Sequence, residues 1–473
     1  MKHLVFFLLS ILAGIIHDFP RVEKERKPNI IVFLVDDLGW KDLSCYGSSF
    51  YQTPHVDRLA SEGLVFTNAY ASCTVCSPTR ASIMSGQSPA RLHLTDWIKG
   101  YKLKNKPLLS PRWTPFLTLE TKTVAEYLKE SGYQTAHVGK WHLGEEEKYE
   151  PQHQGFDVNI AGYKKGQPPS YFFPYKRKNW KPIPYLEGGQ EGEYLTYRLT
   201  EEANNFIRYS SQKDSPFFLY LSHYTVHTPL QAPDSLIEYY EERVDIQAQQ
   251  KNATYASMVH SMDQSLGRVR AVLDSLDEWE NTMLIFASDN GGLSGASKHN
   301  GPTSNAPLRE GKGTAYEGGI RTPLIIHYPG KYSEGKTTST FAISMDIFYT
   351  VLDVAGIKQD SNNKDGLSLL SLKDSAFQNL SNRSLFWHYP HYHVRGATPY
   401  SAIRNGDYKL IEFYEDRHLE LYNLANDIGE QKDLSQELPT VRKRLYRELN
   451  KWKKAVDAQP PLVNPAYQAK VKK

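Results

Sequence analysis

The chain has 473 residues, 40% of them hydrophobic and 23% charged, with a formal net charge of +3. That length buries a large core and suits one large domain with a smaller companion, rather than several equal ones. The near balance of 56 basic against 53 acidic residues lacks the basic excess of a nucleic-acid binder, so no nucleic-acid partner is expected.

Met1-Lys2-His3 precedes an apolar run over 4–16, a short charged region followed by the hydrophobic length of a secretory signal rather than of a membrane span. Residues 1–16 are therefore expected to export the protein, to a periplasm or out of the cell. Ala13-Gly14 offers small residues for cleavage, but apolar Ile15-Ile16 follow, which leaves an uncleaved anchor as the alternative. No cysteine follows the run, which argues against a bacterial lipoprotein, and no other stretch is long and apolar enough to span a bilayer, so no stable membrane partner is expected.

The first predicted strand, 29–35, is a continuous apolar, β-branched run that ends in Asp36-Asp37. A helix is expected at 54–62. Cys76-Ser77-Pro78-Thr79-Arg80 follows, continued by Ala81-Ser82-Ile83-Met84-Ser85-Gly86. Ser77 suits an N-cap and Pro78 the first helical position, so a helix is expected to run to Ser85 with Cys76 at its N-terminus. Unpaired N–H groups there favour an anion, whether a thiolate, an oxyanion formed from that side chain or a sulfate ester. Cys73-Thr74-Val75-Cys76 is also a C-x-x-C pair, the pattern of a redox disulfide or of half a zinc site, although no second pair completes such a site. The third cysteine, Cys45, is an open partner for Cys73.

Further strands are predicted at 133–138, 216–221, 281–287 and 322–326, and further helices at 123–131, 196–210, 255–276 and 345–355. This alternation predicts an α/β fold with a buried sheet covered by helices on both faces. The Pro-, Lys- and aromatic-rich stretch 163–185 reads as a long loop. From about Ser375 the texture changes to short alternating strands, 384–389, 400–404, 408–414 and 419–423, before a helix at 439–455. The expected organisation is therefore a leader at 1–16, a catalytic domain at 29–374 and a small antiparallel C-terminal unit at 375–473, without internal repeats.

In open α/β sheets, binding sites collect beyond the carboxyl ends of the strands. Both acidic clusters, Asp36-Asp37 and Asp289-Asn290-Gly291-Gly292, stand at such ends and can converge on one cation. Four hard oxygen donors, with no His or Cys among them, point to Ca²⁺ or Mg²⁺ rather than to zinc. Taken singly, either cluster makes an ordinary turn.

The ordered set Val35-Asp36-Asp37-Leu38-Gly39-Trp40, Cys76 to Gly86, Gly139-Lys140-Trp141-His142-Leu143-Gly144, His227-Thr228-Pro229, Ser288-Asp289-Asn290-Gly291-Gly292 and Gly311-Lys312 with Glu317-Gly318-Gly319 resembles the type I, formylglycine-dependent sulfatases. These form the arylsulfatase branch of the alkaline-phosphatase superfamily. The resemblance implies that fold: a large mixed, mostly parallel sheet covered by helices, plus a smaller C-terminal domain of antiparallel sheet and helix. It also implies that a formylglycine-generating enzyme converts Cys76 to 3-oxoalanine (formylglycine), and that Asp36, Asp37, Asp289, Asn290 and the matured residue 76 hold Ca²⁺. A geminal diol at residue 76 offers one hydroxyl to attack sulfur and a second whose deprotonation expels the sulfate. By the same resemblance Asp289 accepts the nucleophile's proton, Arg80 holds the diol, His142 is the base and His227 the acid toward the leaving oxygen, while Lys140 and Lys312 clamp the sulfuryl group. Thr79 stands where Ser or Ala is more usual, with Pro78 and Arg80 intact.

The implied activity is hydrolysis of sulfate esters on carbohydrates, with release of inorganic sulfate. A sulfated galactose or N-acetylgalactosamine glycan is the expected partner. An arylsulfatase, a phosphonate or phosphate ester hydrolase of the same superfamily, an inactive carbohydrate-binding relative and a redox protein built on Cys73 and Cys76 are the alternatives. Three segments combine aromatics with cations that suit a sulfated glycan: 92–97 with Lys99, Lys102, Lys104 and Lys106; 163–185; and 387–393 with Arg395.

Overall fold

A computed structural model of the chain describes residues 26–101, 104–294, 301–332, 335–358, 365–371 and 383–468. The expected leader at 1–16, Lys102 and the expected start of the C-terminal unit at 375 lie outside these residues.

The main sheet has eight strands: β1 (Asn29–Val35), β2 (Leu64–Phe66), β3 (Gln134–Gly139), β4 (Val158–Ile160), β5 (Phe217–Ser222), β6 (Thr282–Ser288), β7 (Leu324–His327) and β8 (Lys336–Thr338). Their order across the sheet is β8-β2-β7-β6-β1-β5-β3-β4. All pairs are parallel except the two that flank β7, which runs antiparallel to β6 and to β2. The sheet is thus mixed and mostly parallel, as expected. The three strands that the sequence did not reveal, β2, β4 and β8, are three residues each, too short for a run or an alternation to register.

The continuous apolar runs are buried on both faces. Ile31, Phe33 and Val35 of β1 enter one core with α1 (Pro54–Glu62), α4 (Leu195–Ser210) and α6 (Ala253–Ser275). Ile30, Val32 and Leu34 enter another with α2 (Cys76–Ser85), α3 (Val124–Glu130) and α7 (Asp346–Val354). A further helix, α5 (Asp234–Glu241), packs against α6.

The C-terminal unit is an antiparallel meander of β9 (Ser384–Tyr389), β10 (Tyr400–Asn405), β11 (Tyr408–Phe413) and β12 (Leu419–Asn423). On one face α8 (Pro439–Ala455) packs through Leu445 and Leu449. The other face carries Trp387, Tyr389 and Tyr400 against Tyr70, Cys73, Val75 and Ile320 of the main body. Trp387 seals this contact by donating its indole N–H to the Ala71 carbonyl at 2.8 Å. Among the described residues no helix is long and apolar enough to cross a membrane.

Candidate active site

The two acidic clusters meet, because β1 and β6 are adjacent parallel strands in register up to Val35 and Ser288. Asp36 and Asp289 therefore leave the sheet side by side. Asp37 takes a left-handed backbone conformation, φ 61°, which Asp tolerates better than most residues. Its amide N–H donates to Asp289 Oδ1 at 3.2 Å, and Asn290 Nδ2 donates to Asp37 Oδ1 at 2.8 Å. The glycine at 291 follows from crowding: a Cβ there would lie 1.9 Å from the Gly318 carbonyl oxygen. That approach brings the loop of Lys312 against the acidic turn. The Lys312 amide donates to the Gly292 carbonyl at 3.1 Å, and its ammonium reaches Asp37 Oδ1 at 2.6 Å.

Three cations answer the three carboxylates. Arg80 Nε donates to Asp289 Oδ2 at 2.8 Å, Lys140 Nζ to Asp36 Oδ2 at 2.7 Å, and Lys312 serves Asp37. Burial disfavours charge on every carboxyl, and the outcome depends on what opposes it. At Asp36 burial wins over Lys140 and raises the carboxyl well above the ordinary range. At Asp37 burial is outweighed by Lys312 and His227, and at Asp289 by Arg80 and Lys140, so both are held below it.

This charge balance leaves room for a cation. Asp36 Oδ1 and Asn290 Oδ1 are buried without a hydrogen-bond partner, a costly condition for such atoms. Asp36, Asp37 and His227 each offer a ligand atom within 4.8 Å of one another. A donor set dominated by carboxylate and amide oxygens, two of them unpartnered, fits a hard divalent ion.

Cys76 is the first residue of α2, a helix whose every residue is buried. Here the expectation for the cap is corrected: Val75, in extended conformation, occupies the N-cap position, and no side chain caps the helix. Ser77 and Pro78 lie within the first turn, and the Ser77 hydroxyl instead accepts the Ile98 amide at 3.2 Å. Thr79 ties the entry to the helix, accepting from the Cys73 amide and donating to the Cys73 carbonyl, both at 3.1 Å. The larger side chain at 79 thus fixes the segment that presents Cys76. All three cysteines are free, so neither a Cys73–Cys76 nor a Cys45–Cys73 disulfide is present, and burial pushes the Cys73 thiol up.

Cys76 Sγ lies 3.4 Å from His142 Nδ1, and His142 Nε2 is in a short hydrogen bond with the Ile98 carbonyl. A carbonyl only accepts, so Nε2 carries the proton. Burial, with Lys140 nearby, holds the ring well below the usual histidine range. His142 is therefore a neutral imidazole whose Nδ1 lone pair faces residue 76. His227 is placed by its neighbours: the Asp36 amide donates to the Thr225 carbonyl at 3.0 Å and the Val226 amide to the Asp36 carbonyl at 2.9 Å. Its Nδ1–H donates to the Thr228 carbonyl at 2.9 Å, leaving Nε2 3.7 Å from Asp37 Oδ2. Burial pulls it down to about 3, against the opposing pull of Asp37.

Asp37, Cys76, His142, His227 and Lys312 line one open cavity of about 520 Å³. Lys140 and Arg80 do not reach its surface. Lys140 is fully buried on Asp36, and Arg80 Nη1 is held by the Lys140 carbonyl at 2.9 Å and the Ser222 hydroxyl at 2.6 Å, so both neutralise carboxylates from behind. Of the three glycan-suited segments, Trp97 and Lys99, then Lys164, Lys165 and Trp180, then His393 and Arg395 reach the cavity. Lys104 is exposed elsewhere, and Lys106 stacks over Tyr392. Trp387, His388 and His391 belong to the core, His388 bonded to Ser401 and His391 to Thr95. Sequence reasoning missed Ser222, the Ile98 carbonyl and Asn305, whose amide holds the carbonyls of Gly292 and Glu310 at 2.9 Å. No local pattern announces such residues.

Comparison with known proteins agrees with this geometry. The Sulfatase family model matches residues 28–357, and a model described as N-sulphoglucosamine sulphohydrolase, C-terminal, matches 311–455. A "Sulfatase" of Formosa agariphila is 33% identical, with 92% of this chain and 90% of that protein covered. An N-acetylgalactosamine-6-sulfatase of Rattus norvegicus is 32% identical, covering 81% and 71%. The crystal structure of Ps i-CgsB in complex with k-i-k-neocarrahexaose superposes with a TM-score of 0.75 at 29% identity, covering 92% and 94%. A family model spanning the whole main sheet, joined by relatives of this length, shows that the chain belongs to the sulfatases, the sulfuric ester hydrolases of the alkaline-phosphatase superfamily.

Proposed function

We propose that this protein is exported and removes sulfate from a galactose or N-acetylgalactosamine unit of a glycan, using water to yield the free sugar hydroxyl and inorganic sulfate. The observation that carries this is the meeting of Cys76, His142, His227, Lys312 and Asp37 around one cavity backed by partly unsatisfied carboxylates. The relative named N-acetylgalactosamine-6-sulfatase supports the choice of sugar.

Asp36, Asp37, Asp289 and Asn290 would hold Ca²⁺, and Cys76 is the residue that a formylglycine-generating enzyme would oxidise. With both in place, the hydrated aldehyde supplies an oxygen nucleophile and the ion a positive field for sulfate oxygens. The chain's own residues do the rest. Lys312, the cation at the cavity wall that is paired with Asp37, binds a sulfate oxygen, where added negative charge is best stabilised. His142 Nδ1 is placed to take a proton from the side chain at 76. His227 Nε2, facing the cavity beside Asp37, delivers a proton to the departing sugar oxygen. Burial holds the free ring neutral, at about 3, so His227 takes up this proton at Nε2 only with the anionic ester bound, Asp37 favouring the imidazolium, while Lys140 and Arg80 keep the carboxylates in place.

Sulfate release from sulfated monosaccharides tests the reading, with protein co-expressed with a formylglycine-generating enzyme beside a Cys76→Ala control. Release by the matured protein alone is expected. Silence with residue 76 shown by mass to be an aldehyde, combined with turnover of phosphonate or phosphate esters, overturns it.

A further inference from the structure

A second cavity of about 410 Å³ adjoins the first, and Glu145, Lys164, Lys165 and Trp180 line both. Each has the size of a small-molecule site, roughly 300–1,000 Å³. The seam between them is fixed by the reacting machinery. The His142 amide donates to the Tyr163 carbonyl at 3.1 Å, and a Cβ on Gly166 would lie 2.4 Å from the His142 ring. Tyr163 and Gly166 thus both abut His142, and the two lysines between those anchors line the first cavity.

Their charges are uncommitted. Lys99, on the first cavity's wall, is bound by Glu145 at 2.7 Å. Lys164 and Lys165 have no ion-pair partner among the described residues, and Lys165 Nζ sits 4.9 Å from the centroid of Trp180. Of the remaining carboxylates in the second cavity, Glu150 accepts the Tyr185 hydroxyl at 2.7 Å and Glu147 is exposed. Trp180, Tyr185, Pro182 and Pro184 supply flat apolar wall. Unpaired ammonium groups beside aromatic faces, continuous with a site that handles a sulfated ring, suit a second ring that bears an anion.

We propose that the second cavity seats the sugar next to the one that loses its sulfate, and that Lys164 and Lys165 bind an anionic group on that neighbour. This rests on the carbohydrate reading above and adds that the substrate is at least a disaccharide with a second anion. A sulfate ester and a uronate carboxylate offer the same charge.

The test compares the matured protein with its Lys164→Ala/Lys165→Ala double variant on four substrates. These are a sulfated monosaccharide, the same unit in a disaccharide with a neutral neighbour, and disaccharides whose neighbour carries either a sulfate or a carboxylate. Wild-type kcat/KM is expected to rise about tenfold from the neutral to an anionic neighbour, the worth of one charge-assisted contact. The double variant is expected to lose that gain through KM, with kcat and melting midpoint retained, and added salt should shrink the wild-type gain. The sulfate and carboxylate arms identify the anion. Equal kcat/KM for neutral and anionic neighbours, or a gain that survives in the double variant, overturns the subsite while monosaccharide turnover upholds the carbohydrate reading. Silence on all four overturns both.

Discussion

At the scale of single residues, the acidic turn is organised around atoms that lack partners. Asp36 Oδ1 and Asn290 Oδ1 are buried without a hydrogen bond, while Asp36 Oδ2, Asp37 Oδ1 and both Asp289 oxygens are tied to Lys140, Lys312, Arg80 and the Asp37 amide. A divalent ion that satisfies them binds the folded state only, so Ca²⁺ at a hundred times its Kd should add about 2.7 kcal/mol of stability. Titration calorimetry and thermal melts with chelator and with added Ca²⁺ check this, and a melting midpoint indifferent to Ca²⁺ contradicts it. Gly166 makes a second residue-scale prediction. Gly166→Ala drives a methyl into the His142 ring, and moving a proton acceptor by about an ångström costs on the order of a hundredfold in kcat. Steady-state kinetics beside a melting curve measure it; an unchanged kcat would mean that the loop yields instead of the ring.

At the scale of elements, the C-terminal sheet holds the loop that carries Lys312. Lys409 of β11 is fully buried between Glu317 at 3.0 Å and Glu430 at 2.9 Å, and Glu430 Oε2 accepts the Glu317 amide at 2.6 Å. Lys409 is thus shared by two buried carboxylates, Glu317 also pairing with Arg321 at 3.4 Å. Burial, opposed by Lys409 and reinforced by Glu317, pushes the Glu430 carboxyl up to about 7 from an ordinary 4.5. Because its folded value lies above its unfolded one, the folded state binds the proton more tightly between those limits. The contribution of Glu430 to stability therefore falls as pH rises from about 4.5 to 7, by up to about 3 kcal/mol. Glu430→Gln keeps an acceptor for the Glu317 amide and removes this titration, so the difference between the melting midpoints of wild type and variant should shift against wild type as pH rises through the window. Melts of both proteins across the window decide it, and parallel profiles would refute the assignment.

At the scale of the whole molecule, the two sheets are joined through the residues that lead into Cys76. Trp387 covers Tyr70, Cys73 and Val75 and bonds the Ala71 carbonyl, so docking of the C-terminal unit bears on the geometry of residue 76. Trp387→Ala should destabilise the protein by about 3–5 kcal/mol in urea unfolding, through the lost apolar burial, the cavity and the orphaned carbonyl. A loss below about 1 kcal/mol would show that the interface repacks. The sequence by itself determined the α/β architecture and nearly every long element, because runs such as 29–35 and periodic stretches such as 54–62 carry their environment in their own pattern. Its ordered motifs, through their resemblance to a family, also pointed to Asp37, Cys76, His142, His227 and Lys312, which line one cavity, and to the two acidic clusters that end adjacent strands. Tertiary structure alone decided that Val75 rather than Ser77 stands at the N-cap of α2, that Lys140 and Arg80 are buried behind the carboxylates, and that Trp387 and His391 are core. It alone joined the second cavity to the first. These depend on contacts between residues from 21 to 316 positions apart, and neither periodicity nor local propensity records how such surfaces fit together.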